Sequence, residues 1–297
     1  MNGNDQIQFA RLLAFRPLEQ LSRMNNSDRA SLLDEILAKG PSEASWLALW
    51  ELFATWPATA EKTRHLDMAE QALGSWPDRL RSISSSSSLL YEGQQLSELA
   101  RLAKTIEIYR REDRAPSELQ AIASSRYSVG LTSLEIVRSE ISSRSWRALV
   151  QSPNLPNLRH LHVSCSVLGS ASIQQLLQSL QFSRLQCLKL IDVGIQPPDL
   201  ETFQQGIPFP EVCAIDLSAN IIGDKGATLL SKALWLGQIS RMTLQRSFIY
   251  AEGIQRLLSS PLWKKLETLD LTGNQVTDVE KSKLRAAADS RNLRLII

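Results

Sequence analysis

The chain has 297 residues, a formal net charge of +2, 43% apolar residues and 22% charged residues. This balance argues against nucleic acid as a partner, because that affinity rests on dense phosphate-neutralising Lys and Arg, and no apolar run approaches the ~20 residues of a membrane span. Three cysteines without close spacing argue against a disulfide framework. The start Met1-Asn-Gly-Asn-Asp-Gln lacks the basic and apolar segments of a secretion signal, so the expectation is a cytoplasmic protein.

From Asp5 to about Ala103 the periodicity is helical. Ile7, Phe9, Leu12 and Leu13 begin it and Pro17 interrupts it. Ser27 is a candidate N-cap for a helix carrying Leu32, Leu33, Ile36 and Leu37, closed by Gly40 and Pro41. Trp46, Leu49, Trp50, Phe53 and Trp56 then fall on one helical face ending at Pro57, and a further helix carries Leu66, Ala69, Leu73 and Trp76 before Pro77. Large aromatics at this spacing read as core rather than as a ligand-binding face. The serine tract at 82–88 reads as an exposed loop or linker, and Leu96, Leu99, Leu102 and Ala103 as one more helix.

From Ala103 onward one frame repeats. Its clearest copy is Leu266-Glu-Thr-Leu269-Asp-Leu271-Thr-Gly-Asn274-Gln-Val276, and the same frame starts at Leu131, Leu158, Leu185, Val212, Ile239, Leu266 and Leu293, each 27 residues after the last. Ala103, Ile106 and Ile108, followed by a helix at Ser117–Ser124, form a degenerate 28-residue first unit that would seal the first strand. Positions 1, 4, 6 and 11 of each unit point inward, as with Val212, Ile215, Leu217 and Ile222. Position 9 carries the turn residue: Ser139, Ser166, Val193, Asn220, Ser247 and Asn274. Because valine offers no polar atom there, the third repeat is expected to be the weak or irregular one. Position 13 starts a helix at Ser143, Ser170, Pro197, Asp224, Ala251 and Asp278, four of them residues favoured at N-caps. Positions 16 and 19 then face the sheet.

The pattern L-x-x-L-x-L-x-x-N-x-L is that of a leucine-rich repeat. At this length, with Asn220-Ile-Ile-Gly-Asp-Lys-Gly-Ala-Thr-Leu-Leu-Ser-Lys-Ala-Leu, residues 131–297 resemble the ribonuclease-inhibitor-like family. They also look like bacterial proteins in which such repeats follow a helical domain. The fold expected is α/β: a leucine-rich-repeat solenoid of 27-residue β-α units with a curved parallel sheet, preceded by an all-α domain. The domains would be a helical domain at 1–92, a cap at 93–130 and the repeats at 131–297. The resemblance implies recognition of another protein through the concave sheet. It carries no shared catalytic residue and no cofactor.

Strand positions 3 and 5, with position 8 at the rim, supply that concave face: Glu135, Arg138, His160, His162, Lys189, Asp216, Arg241 and Arg246 are its expected partner-binding residues. His160, His162 and Cys187 lie close enough on neighbouring strands to raise zinc binding or a thiol nucleophile with its base. They lack an obvious fourth ligand, however, and read as ordinary polar residues of the face, so no metal site is expected. The alternative reading places an enzymatic or effector activity in the helical domain, on acids such as Glu51 or Glu61, with the repeats selecting the substrate. The last stretch, Leu293-Arg-Leu295-Ile296-Ile297, would set Leu293 and Ile296 at inward positions 1 and 4 of a final edge strand. Its brevity and Arg294 oppose edge pairing, so a monomer is expected.

Overall fold

The computed structural model describes residues 18–87, 90–109, 115–204 and 209–297. Ile7, Phe9, Leu12, Leu13 and Pro17, and Ser88 of the serine tract, lie outside them. The chain divides into two compact units, Met1–Ile106 with Ser125–Leu131, and Glu107–Ser124 with Thr132–Ile297.

In the first unit, helices span Leu18–Arg23, Asn26–Ala38, Glu43–Thr55 and Ala60–Ala72. Polar residues with extended backbone start three of them. Asn25, Ser42 and Thr59 accept from the backbone N–H groups of Asp28, Ser45 and Lys62, satisfying donors that have no partner within the helix. The cap expected at Ser27 thus falls two residues earlier, at Asn25. Gly40, at φ +78°, follows the end of the second helix. The tryptophan stripe is core: Trp46, Leu49, Trp50, Phe53 and Trp56 are all buried. Trp46 meets Trp50 edge-on with ring centroids 5.7 Å apart, and Phe53 stacks on Trp56 at 5.6 Å. The Arg29 side chain is also buried, its guanidinium donating to the Leu21 and Met24 carbonyls and to Thr55 Oγ1.

Two expectations fail beyond these helices. The serine tract is not wholly a linker, since Ser82–Ser84 is strand β1 and Ser85 is buried. A strand needs only backbone donors and acceptors, which serine supplies as well as any residue. The helix expected around Leu96–Leu102 is replaced by an antiparallel ribbon, β2 (Tyr91–Glu92) with β3 (Gln95–Leu96), and a 3₁₀ turn at Glu98–Leu102. Gly93 in the turn adopts φ +66°, which a helix cannot accommodate. Leu96, Leu99 and Leu102 are buried regardless.

The repeats deliver their strands where the frame places them, up to the last. After β4 (Thr105–Tyr109) come β5 (Ser133–Val137), β6 (His160–Ser164), β7 (Cys187–Ile191), β8 (Ala214–Asp216), β9 (Arg241–Thr243), β10 (Thr268–Asp270) and β11 (Arg294–Ile296). The sheet runs β1-β4-β5-β6-β7-β8-β9-β10-β11, and the pairs from β5 to β11 are all parallel. Helices at Ser143–Val150, Ser170–Leu177, Pro197–Phe203, Gly223–Leu230, Ala251–Leu258 and Asp278–Asp289 follow the strands. Positions 16 and 19 pack under the sheet: Trp146, Leu149, Ile173, Leu176, Leu200, Phe203, Ile254 and Leu257 are buried. The fold is an α/β leucine-rich-repeat solenoid with helices in the N-terminal region.

The caps of the repeat helices sit one residue before most of the expected starts, at Ser142, Gly169, Gln196, Ile222, Tyr250 and Thr277. Asp224 does a different job: its Oδ1 accepts from Tyr250 N at 2.8 Å and Gly253 N at 3.1 Å, tying one repeat to the next helix start. That approach needs a bare Cα. A Cβ on Gly253 would lie 2.3 Å from Asp224 Oδ1 and 3.0 Å from its Cα. Gly253→Ala is therefore expected to cost about 1–3 kcal/mol through overpacking, read as a lowered urea midpoint. Gly226→Ala should cost less, because its Cβ would meet side-chain atoms of Ile222 and Leu200 at 2.8 Å. An unchanged midpoint for Gly253→Ala would contradict this account of the close approach of Asp224 to Gly253.

The final strand is shifted by one residue. Thr268, Leu269 and Asp270 pair with Arg294, Leu295 and Ile296, so Leu295 rather than Ile296 takes inward position 4. The last helix is twelve residues long and ends with Asn292 at φ +56°, Asn292 N–H bonding Asp289 O and Leu293 N–H bonding Ala288 O. This left-handed end uses one residue fewer than the earlier loops.

Candidate functional site

The row at position 5 crosses neighbouring strands in register: Glu135, His162, Lys189, Asp216, Thr243 and Asp270. The row at position 3 is Ser133, His160, Cys187, Ala214, Arg241 and Thr268. Side chains alternate across a strand, so both rows lie on the sheet face opposite the buried residues at positions 4 and 6. Arg138 and Arg246 follow the ends of β5 and β9. All eight expected residues therefore belong to one unit and one face or its rim.

Position 8 has a conformational signature that pattern reading missed. Arg138, Cys165, Asp192, Ala219, Arg246 and Gly273 all have φ between +48° and +76°. Each strand leaves the sheet through a left-handed residue, although only one of the six is glycine. The 27-residue frame locates these positions, but side-chain type gives no warning of the backbone they adopt.

The acids and bases of this face are not equivalent. Glu135 Oε2 lies 3.8 Å from His162 Nδ1, and hydrogen bonding to His162 holds the Glu135 carboxyl below its ordinary range. Asp216 Oδ1 accepts from Ser218 N at 2.9 Å. Burial alone would raise the Asp270 carboxyl, but bonds from Thr272 and Gln245 bring it below its usual value. Arg138, Lys189, Arg241 and Arg246, by contrast, make no side-chain hydrogen bond or ion pair within the described residues, although the charges of Lys189 and Arg241 act on Glu135 and Cys187.

His160 and Cys187 are register partners, as are His162 and Lys189. Among the described residues no three His, Cys, Asp or Glu side chains are grouped to hold a metal. Burial pushes the Cys187 thiol up, away from the thiolate that ligation or attack requires. In the helical region, Glu51 is raised by burial while Glu61 is exposed and accepts from Asn26 Nδ2. An open depression lined by Gln20, Met24, Asp28, Ser31, Leu32 and Glu35 includes neither acid.

Position 9 joins the repeats. Asn220 Oδ1 accepts from Val193 N at 3.1 Å and Ile195 N at 3.0 Å, while Nδ2 donates to the Leu190, Leu217 and Ser218 carbonyls. Asn274 repeats this towards Ser247, Ile249, Leu244 and Leu271. Val193 is buried and its turn is braced by Asn220, so the third repeat keeps a full five-residue strand where irregularity was expected.

Parallel strands joined by helices, with an asparagine bracing successive turns, are the features of a leucine-rich-repeat fold. Residues 264–279 match the family described as Leucine Rich repeat. No curated protein matches the sequence. Among solved structures the chain is similar to an internalin of Listeria monocytogenes, at 16% identity and a TM-score of 0.40, covering 68% of this chain and 57% of that one. It is also similar to a Bacteroides fragilis protein, at 17% identity and a TM-score of 0.29, covering 66% of this chain and 41% of that one. The chain thus spans less than two thirds of the length of either. Among the described residues no helix is long and apolar enough to cross a membrane.

Proposed function

We propose that this protein is a non-enzymatic interaction scaffold that holds another protein against the strand face of its repeats. The observation carrying this reading is the position-5 row of Glu135, His162, Lys189 and Asp216, four ionisable side chains on four adjacent strands. Charges of both signs at strand spacing suit a selective, electrostatically tuned contact. In this reading the repeats are of the ribonuclease-inhibitor-like type, the helices within residues 1–92 form a domain ahead of them, and residues 93–130 cap the array. A net charge of +2 favours a protein partner over nucleic acid, and three free cysteines favour the cytoplasm. The scaffold acts as a monomer.

The test is capture of partners from a cell extract by the wild-type chain and by a variant carrying Glu135→Lys, Lys189→Glu, Asp216→Lys and Arg246→Glu. A specific partner is expected to be retained by the first and lost by the second, at equal folding. Retention of every partner by the variant would remove the strand face from the account.

A further inference from the structure

Position 10, immediately beyond the turn, carries an apolar line in the middle repeats, between Glu140 in the first repeat and Gln275 in the sixth. Val167 is 79% exposed, Ile221 55% and Phe248 53%, and Gly194 occupies the same position in the repeat between the first two. Isolated exposed apolar residues are ordinary, whereas a contiguous set marks an interaction surface. These loops are contiguous. Leu168 N–H bonds Val193 O and Ile221 N–H bonds Ile195 O, and a Cβ placed on Gly194 would lie 3.9 Å from Val167 Cγ1. Lacking that Cβ, Gly194 leaves a notch between Val167 and Ile221.

Phe248 adds a second, independent observation. Its φ is +59°, a region costly for a bulky side chain, yet half of that side chain faces solvent. An outlier that contributes little burial to the fold points to a role outside it.

Charge decides what covers the line. Arg246 stands two positions before Phe248, Arg138 holds the same rim position in the first repeat beside the acid Glu140, and Arg241 and Lys189 lie on the strands. None of these cations makes a side-chain hydrogen bond or ion pair among the described residues, Lys189 and Arg241 acting on Glu135 and Cys187 only through their charge. Glu135, Asp216 and Asp270, by contrast, already have hydrogen-bonding partners in the chain. Asp192 is the one acid among the six rim residues at position 8. Three repeat steps separate Val167 from Phe248, about 15 Å at ~4.8 Å per strand, the reach of some four or five extended residues.

We infer that this rim binds an extended acidic segment of a protein partner, with apolar side chains seated on Val167, Ile221 and Phe248 and carboxylates facing Arg138, Arg241 and Arg246. The inference rests on the proposed scaffold reading and specifies the partner's chemistry.

A random twelve-residue peptide display library selected against the wild-type chain tests it. The enriched peptides are expected to combine Asp or Glu with Leu, Ile or Phe. Their affinity should fall at least tenfold with Ile221→Asp or Phe248→Gly, and at least threefold with Arg246→Glu. Phe248→Gly should melt no lower than wild type, because glycine accepts the positive φ, so lost binding there cannot be ascribed to lost folding. Enrichment of basic peptides, absence of any enriched peptide, or equal binding to Phe248→Gly and wild type would each overturn the inference. Peptides that ignore the rim variants but are lost with Glu135→Lys and Lys189→Glu would overturn the rim assignment while leaving the strand-face reading in place.

Discussion

Replacing Asn220 by alanine is expected to destabilise the protein by about 3–5 kcal/mol, from two orphaned N–H groups and the carbonyls that lose the Nδ2 donor. The side chain is 1% exposed, so water cannot replace it without opening the turn. It holds Val193 N and Ile195 N on one side and Leu190 O on the other, making it the polar link between the third and fourth repeats. Asn274→Ala removes a similar bond set from a part-buried site and should cost less, since Asn274 itself is nearer to solvent than Asn220. Chemical denaturation of the two variants gives the comparison. Equal small losses below about 1 kcal/mol would mean that the asparagine bonds are incidental to the stack.

Trp146→Ala should be comparably severe, at about 3–5 kcal/mol for a large buried side chain removed from a packed core. Trp146 is fully buried under the first full repeat, and its Nε1 donates to Ser172 O at 2.9 Å in the following helix. The substitution therefore opens a cavity and leaves a carbonyl of the next repeat without its partner. Trp146→Phe retains most of the bulk and should cost about 1–2 kcal/mol more than a neutral swap, chiefly the unmade hydrogen bond. Because each repeat contacts only its neighbours, the damage should concentrate at the first two repeats. Hydrogen exchange should thus quicken in β5 and β6 before β9 and β10. Uniform quickening along the sheet would contradict nearest-neighbour stacking.

The repeat frame was legible because a helix-and-strand unit of constant length writes its period into the leucines. Strands β5 to β10 and the helix starts lie where that period places them, Gly223 being one residue early. What the period does not encode is bond destination. Asp224 looked like its own helix's cap but serves Tyr250 and Gly253, since a side chain at a repeat boundary has two N-termini within reach. The one-residue shift at β11 arises from backbone geometry at Asn292, and Asn is a residue known to tolerate that region. The tryptophan core was readable from spacing, whereas the ribbon at Tyr91–Leu96 was not, because three leucines at three-residue steps imitate a helix. Gly93 was the available signal. The columns of the strand face were readable to the residue, but which acids are hydrogen-bonded and which cations lack a hydrogen bond appears only once the strands are in register. The line of Val167, Ile221 and Phe248 was also present in the frame. It was passed over because position 10 lies between two positions with structural roles.

The central claim, that the strand face and its rim hold the partner, is most directly tested by alkylation footprinting at Cys165. This thiol is exposed and stands at rim position 8, beside Val167. Glu252, whose side chain is 74% exposed on the helix Ala251–Leu258, offers a control as Glu252→Cys. With a captured partner at saturation, iodoacetamide is expected to modify Cys165 at least tenfold more slowly, while the introduced thiol at position 252 reacts at its free rate. Protection at position 252 with Cys165 reacting as in the free chain would place the partner on the helices and contradict the account.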